Sequence, residues 1–110
     1  MGYNNYMNRE ALLEQVKRAV REMEPDAEII LYGSRAREDS QAQSDWDFLI
    51  LVDGPVNDER TDKIRHRLYE IEWESDEVLC CIVRSREEWN SPLWESMPFH
   101  QNVELEGIVL

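Results

Sequence analysis

Apolar positions along the chain alternate between two spacings, one of helical period and one of short unbroken runs. Leu12, Val16, Ala19, Val20 and Met23 fall at i, i+4, i+7, i+8 and i+11, which predicts a helix with one buried face. Asn8 is placed to cap it, and Pro25-Asp26 stops it. Glu28 to Tyr32 (Glu-Ile-Ile-Leu-Tyr) reads as a short strand ending at Gly33. Residues 35 to 44 carry no apolar stripe and read as a loop containing a short helix directly after the Gly-Ser corner. Asp47 to Val52 is the strongest strand signal and is expected to be central in the sheet, closed by the turn residues Asp53-Gly54-Pro55. Asp58 is the expected cap of a second long helix, in which Ile64, Leu68 and Ile71 recur at i, i+4 and i+7, with Trp73 near its end and Ser75-Asp76 as its break. Val78 to Val83 is apolar on both faces, the pattern of a covered strand, and Ser85 with Glu88 makes a capping box before Trp89. Pro92 and Pro98 punctuate the tail; Pro98 suits the first turn of a helix through Glu106 that Gly107 would end, and Ile108 to Leu110 would add an edge strand. The order α-β-(short α)-β-α-β-α predicts a single sheet with helices, α+β or α/β, and leaves open whether the strands run parallel or antiparallel.

Length and charge narrow this picture. The 110 residues suit one domain, 1–110, with a single core. Twenty-four acidic against 12 basic residues leave a net charge of -12, which repels a phosphate backbone and argues against direct nucleic-acid binding. No apolar stretch approaches the ~18 residues of a membrane span, and the first residues lack the basic and apolar regions of a signal peptide, so a cytoplasmic protein with no membrane contact is expected. Cys80 and Cys81 are adjacent in an apolar run and offer neither a loop-closing disulfide nor a CxxC pair; they read as small core residues. An anionic substrate would need local compensation from basic side chains, backbone amides or a divalent cation.

One stretch, Tyr32 to Asp53, supplies all three. In an extended segment Asp45 and Asp47 lie on one side, about 6–7 Å apart by the strand rise, while Trp46 and Phe48 point to the other and can anchor the strand. Paired carboxylates suit Mg²⁺, which shares its oxygen shell with water and substrate phosphates. At Gly33 the backbone can approach a ligand closely, and the helical turn after it would present N–H groups to phosphate oxygens. Ser34 adds a hydroxyl; Arg35 and Arg37 add positive charge. The corner would hold the tail of a nucleoside triphosphate while the aspartates hold metal against the same phosphates. Arg35 serves equally well as a structural partner of Asp39 or Asp45.

The residues Gly33-Ser34-Arg35-Ala36-Arg37 followed by Ser44-Asp45-Trp46-Asp47-Phe48-Leu49-Ile50-Leu51-Val52 resemble the minimal nucleotidyltransferases (MNT proteins) of the DNA polymerase β-like superfamily. The shared pattern is Gly-Ser, a gap, then Asp-x-Asp leading into an apolar strand. The resemblance implies a single mixed β-sheet with helices on one face. It also implies Mg²⁺-dependent transfer of a nucleoside monophosphate, AMP above all, from ATP or another NTP to a hydroxyl, with release of pyrophosphate. Gly33, Ser34, Arg35 and Arg37 would bind the nucleotide phosphates, and Asp45 and Asp47 would be the catalytic metal ligands. The acceptor implied is a partner protein, a small helical HEPN-type toxin to which the MNT protein is the antitoxin. The chain departs from the family at Glu38, where many relatives have glycine, and in the third strand, where the family's third acid normally lies and Val78 to Val83 has no carboxylate. Two Mg²⁺ ions are implied where that acid is present. Asp76 and Glu77 at the start of the strand, and Glu72 and Glu74 near the preceding helix end, are the substitutes available. The vacancy motivates a second reading, a weakened nucleotide-binding or protein-binding module that neutralises a HEPN-like partner by contact.

Other chemistry-bearing residues read as structural. His66, between Arg65 and Arg67, is expected at the surface, and His100 on the polar side of the tail helix. The acidic run Glu70 to Glu77 is expected to be a solvated helix end. Trp89, Trp94, Met97 and Phe99 would close the core or present an interface, the former being the expectation.

Overall fold

A computed structural model describes residues 8–38 and 44–110. Helix α1 (Arg9–Met23) is capped by Asn8, whose Oδ1 accepts from the Ala11 amide at 2.8 Å. It leads to β1 (Glu28–Tyr32), a one-turn helix α2 (Ser34–Arg37), β2 (Trp46–Val52), the long helix α3 (Asp58–Ser75), β3 (Leu79–Ser85), two further turns α4 (Arg86–Trp89) and α5 (Pro92–Glu95), helix α6 (Pro98–Glu106) and the short β4 (Ile108–Val109). The strands form one sheet in the order β3-β2-β1-β4. The pairs β1–β2 and β1–β4 are antiparallel, and β2–β3 is parallel, with α3 as the crossover that a parallel pair requires.

This is the mixed α+β sheet expected, with β2 central and Ile108–Val109 at an edge. Alternation along the strands sorts the core into two layers. Ile29 and Leu31 of β1, Trp46, Phe48, Ile50 and Val52 of β2, and Leu79 and Val83 of β3 face α1 and α3, where Leu12, Val16, Val20, Ile64, Leu68 and Ile71 cover them. The opposite positions, Ile30, Leu49 and Leu51, pack under the tail with Trp89 and Val103. The two long helices thus share one face, and the short C-terminal helices add a partial second layer on the other.

Several boundaries move for local reasons. The cap of α3 is Asn57 rather than Asp58: its backbone is extended and its Oδ1 accepts from the Arg60 amide at 2.8 Å, so Asp58 becomes the first helical residue. β3 runs later than Val78 to Val83, because Ser85 both ends the strand and accepts from the Glu88 amide at 3.0 Å to start α4. Its start is covered on the helix face alone, so Cys80 is exposed rather than in the core, and only Cys81 packs against the main cluster. His100 departs most. It is 4% exposed and stacked on Trp89 with 4.2 Å between ring centroids, because α6 turns His100 and Val103 together toward the sheet. The indole offers the apolar face of the imidazole a flat partner. Trp89 itself is buried against Trp94 and Phe99, the core closure expected of the tail, whereas Met97, expected with them, is exposed. His66 is exposed as expected.

Candidate functional site

Because the tail layer covers only part of its face, one end of β1, β2 and β3 stays open on that side. There the register sets Tyr32 opposite Asp47 and Asp47 opposite Cys80, a row across three adjacent strands spaced about 4.8 Å apart. Asp45 precedes β2 on the same side: the Cys80 thiol donates to its Oδ2 at 3.7 Å. Trp46 and Phe48 are buried on the helix face, so the alternation that aims the acids outward also anchors their strand.

Gly33 joins the corner to this row. Its φ of 77° lies in the region that favours glycine, and a Cβ built on it would sit 2.7 Å from Asp47 Oδ2. The backbone after Tyr32 therefore turns directly over the Asp47 carboxylate. The amides of Ala36 and Arg37 close on the Gly33 carbonyl at 3.0 and 3.1 Å, forming the turn that begins with Ser34. Glu38 adopts a left-handed φ of 62° to leave it.

The electrostatics are those of crowded acids. Burial, then the charge of Asp45, pushes the Asp47 carboxyl above its ordinary value. Burial, then Asp45 and Asp47, raises the Cys80 thiol. Burial, then Asp47, lifts the Tyr32 phenol to about 12, so at neutral pH it is a neutral hydroxyl beside the carboxylates. Tyr32 was not singled out from sequence; its place just before Gly33 is a signal only once the β1–β2 register is known.

The arginines divide. Arg35 turns away from the row and stacks on Trp46, its guanidinium 4.3 Å from the ring centroid. It donates to the Ser44 carbonyl from Nε and Nη2 at 3.2 and 2.9 Å and pairs with Glu77 at 3.5 Å. Trp46 Nε1 also donates to Glu77 Oε1, at 2.6 Å, and Arg9 donates to the Arg35 carbonyl at 2.8 Å. This brace ties the corner, Ser44 and the start of β2 together; Arg9 is a member that sequence reasoning missed. Asp39, the other partner considered for Arg35, lies outside the described residues. Arg37, more exposed, reaches Glu106 at 3.0 Å.

None of the four substitute acids joins the row. Glu77 is held on the Trp46 side, Asp76 is the left-handed C-cap of α3, Glu72 accepts from the Leu79 amide at 2.7 Å, and Glu74 accepts from Gln15 at 3.1 Å. Cys80 occupies the β3 position beside Asp47. Among the described residues no group of three or more His, Cys, Asp or Glu could hold a metal ion alone. Asp45 and Asp47 still suit a divalent cation that takes its other oxygens from phosphate and water, since Asp45 makes the charged form of Asp47 costlier in the absence of positive charge.

Residues 13–108 match the family described as "Nucleotidyltransferase domain". The chain belongs to that family. The nucleotidyltransferase domain is also similar to a solved structure described as "Crystal structure of the toxin-antitoxin with AMP-PNP". That match has a TM-score of 0.60 at 18% identity, covering 87% of this chain and 69% of that one. It supports the mixed-sheet polymerase β-like fold. No curated protein sequence matches the chain. No helix among the described residues is long and apolar enough to cross a membrane.

Proposed function

We propose that this nucleotidyltransferase domain binds ATP, or another nucleoside triphosphate, with Mg²⁺ at the junction of Gly33, Ser34, Asp45 and Asp47, and transfers AMP to a hydroxyl of a partner protein. The observation that carries this reading is the approach of Gly33 to Asp47 Oδ2, which brings the Gly-Ser corner beside the carboxylate pair and supports one shared site. The corner would orient the triphosphate, Arg37 would support the leaving phosphates, and the Arg35 brace would hold the corner against β2. Bound Mg²⁺ would neutralise phosphate charge between the two aspartates. The acceptor oxygen bonds to the α-phosphorus as the bond to pyrophosphate breaks. The resemblance to MNT proteins makes a HEPN-type toxin the expected acceptor, with this chain as antitoxin acting in the cytoplasm. The toxin-antitoxin description of the similar structure favours a protein partner in the same way.

A second reading, a nucleotide-binding module that silences its partner by contact, is favoured by Cys80 standing where a third carboxylate would complete the row. No carboxylate of β3 is there to take the proton of the attacking hydroxyl. One experiment separates the two: ATP labelled at the α-phosphate is incubated with Mg²⁺ and lysate of the source cell, comparing the natural chain, Asp45→Asn with Asp47→Asn, and Cys80→Asp. Label in an acceptor band, lost in the double variant, supports transfer. Label appearing only with Cys80→Asp supports the binding module, and labelling that survives in the double variant refutes the aspartate assignment.

A further inference from the structure

Helix α3 carries two stripes. Ile64, Leu68, Ile71 and Ser75 face the sheet. Tyr69, Glu72, Trp73 and Asp76, at i, i+3, i+4 and i+7, form a second stripe. Trp73 is 76% exposed and Tyr69 53%, with their rings edge to face at 6.2 Å, and Val78 beside them is 52% exposed. With Glu72, Asp76 and Glu77 these residues line a shallow cavity of about 290 Å³. An exposed Trp–Tyr pair adds nothing to the core, since burial is what makes a large aromatic stabilising; grouped apolar exposure of this kind marks an interface.

We infer that the Tyr69–Trp73–Val78 surface is a docking site for a partner-protein segment that presents arginine or lysine beside apolar side chains. Charge decides the occupant. Every ionisable residue lining the cavity other than Tyr69 is an acid, and although Glu77 is paired with Arg35, Glu72 and the exposed Asp76 keep the surface negative on a chain of net charge -12, so a second copy of the same surface would be repelled and a cationic partner attracted. Exposed indole and phenol rings flanked by carboxylates receive a guanidinium by cation–π attraction and ion pairing together. The position connects the surface to the candidate site: the Val78 carbonyl accepts from the Trp46 amide at 2.9 Å, so a segment on Val78 lies next to the start of β2, where Asp45 and Asp47 are. That the docked segment belongs to the acceptor rests on the transfer reading above; the docking chemistry does not.

The test is a titration of the full chain with a fluorescent short peptide alternating arginine and leucine, against its glutamate–leucine counterpart, followed by anisotropy and by tryptophan emission. The expected result is binding of the arginine peptide alone, weakened about tenfold or more by Trp73→Ala and unchanged by Leu105→Ala, a control at another exposed apolar residue. Trp73 is too exposed for its removal to unfold the chain. Equal affinity in the natural chain and Trp73→Ala would overturn the proposal, as would light scattering that shows a dimer dissociated by Trp73→Ala. MgATP binding is measured alongside. A chain that ignores MgATP yet binds the peptide through Trp73 supports the docking surface and overturns the nucleotide reading.

Discussion

Gly33→Ala tests the junction on which the functional reading stands. Its φ of 77° with ψ of -158° lies where side chains are strained, a backbone cost of about 1–3 kcal/mol for alanine. The new methyl would also sit 2.7 Å from Asp47 Oδ2, so the carboxylate must swing away or the corner must open. With an unfolding entropy of about 2.1 cal/mol/K per residue, each kcal/mol lowers Tm by roughly 4 °C in a chain of this size, and the backbone part alone predicts a fall of roughly 4–13 °C. Thermal unfolding by circular dichroism reads the stability, and calorimetric titration with MgATP reads the site. The two costs separate in a cycle with Asp47→Ala. The Asp47 Cβ lies 3.8 Å from the added methyl, so removing the carboxylate relieves the clash and leaves only the backbone cost. Gly33→Ala should therefore cost less stability in the Asp47→Ala background than in the natural chain. An unchanged Tm with unchanged MgATP affinity in Gly33→Ala would refute the reasoning, and additive effects in the cycle would refute the contact with Asp47.

The other predictions concern charge. Arg35→Lys should lower Tm, because a lysine cannot keep the forked donation to Ser44 or the flat stack on Trp46, whereas Arg37→Ala should weaken MgATP binding with little change in Tm. A large fall in Tm for Arg37→Ala alone would reverse these roles. The raised Asp47 carboxyl has a signed consequence: the folded state holds that proton more tightly than the unfolded chain, so its contribution to stability is full below the ordinary carboxylate pKa and is lost as pH rises through the raised folded value. Asp47→Asn should accordingly be at least as stable as the natural chain at neutral pH while losing Mg²⁺-dependent nucleotide binding; pH-dependent melting curves of the two proteins check it, and a lower Tm for Asp47→Asn at neutral pH would contradict it.

Much of this protein is legible in local pattern. The period of Leu12, Val16, Ala19 and Val20, the alternation around Phe48 and the cap at Asn8 follow from backbone geometry over a few residues, and the structure keeps them. Where two local signals competed, the boundary moved, as Asn57 displaced Asp58 at the start of α3 and Ser85 lengthened β3. Burial of the polar residues was decided elsewhere. His100 enters the core because Trp89, 11 positions earlier, packs on the same face of the sheet and offers it a stacking surface. Cys80 stays at the surface because the tail layer does not reach that end of the sheet. The composition of the site shows the same division. That Asp45 and Asp47 share a side is a property of any extended chain, but Tyr32, Cys80 and Arg9 join the site only through strand register and helix docking, which bring together residues far apart in sequence. The sequence by itself determined that a Gly-Ser corner and an Asp-x-Asp pair stand at the two ends of one loop. The parallel pairing of β2 with β3 decided that a thiol, and not a carboxylate, stands beside them, because register along a sheet is set by the packing of whole faces and not by any one residue.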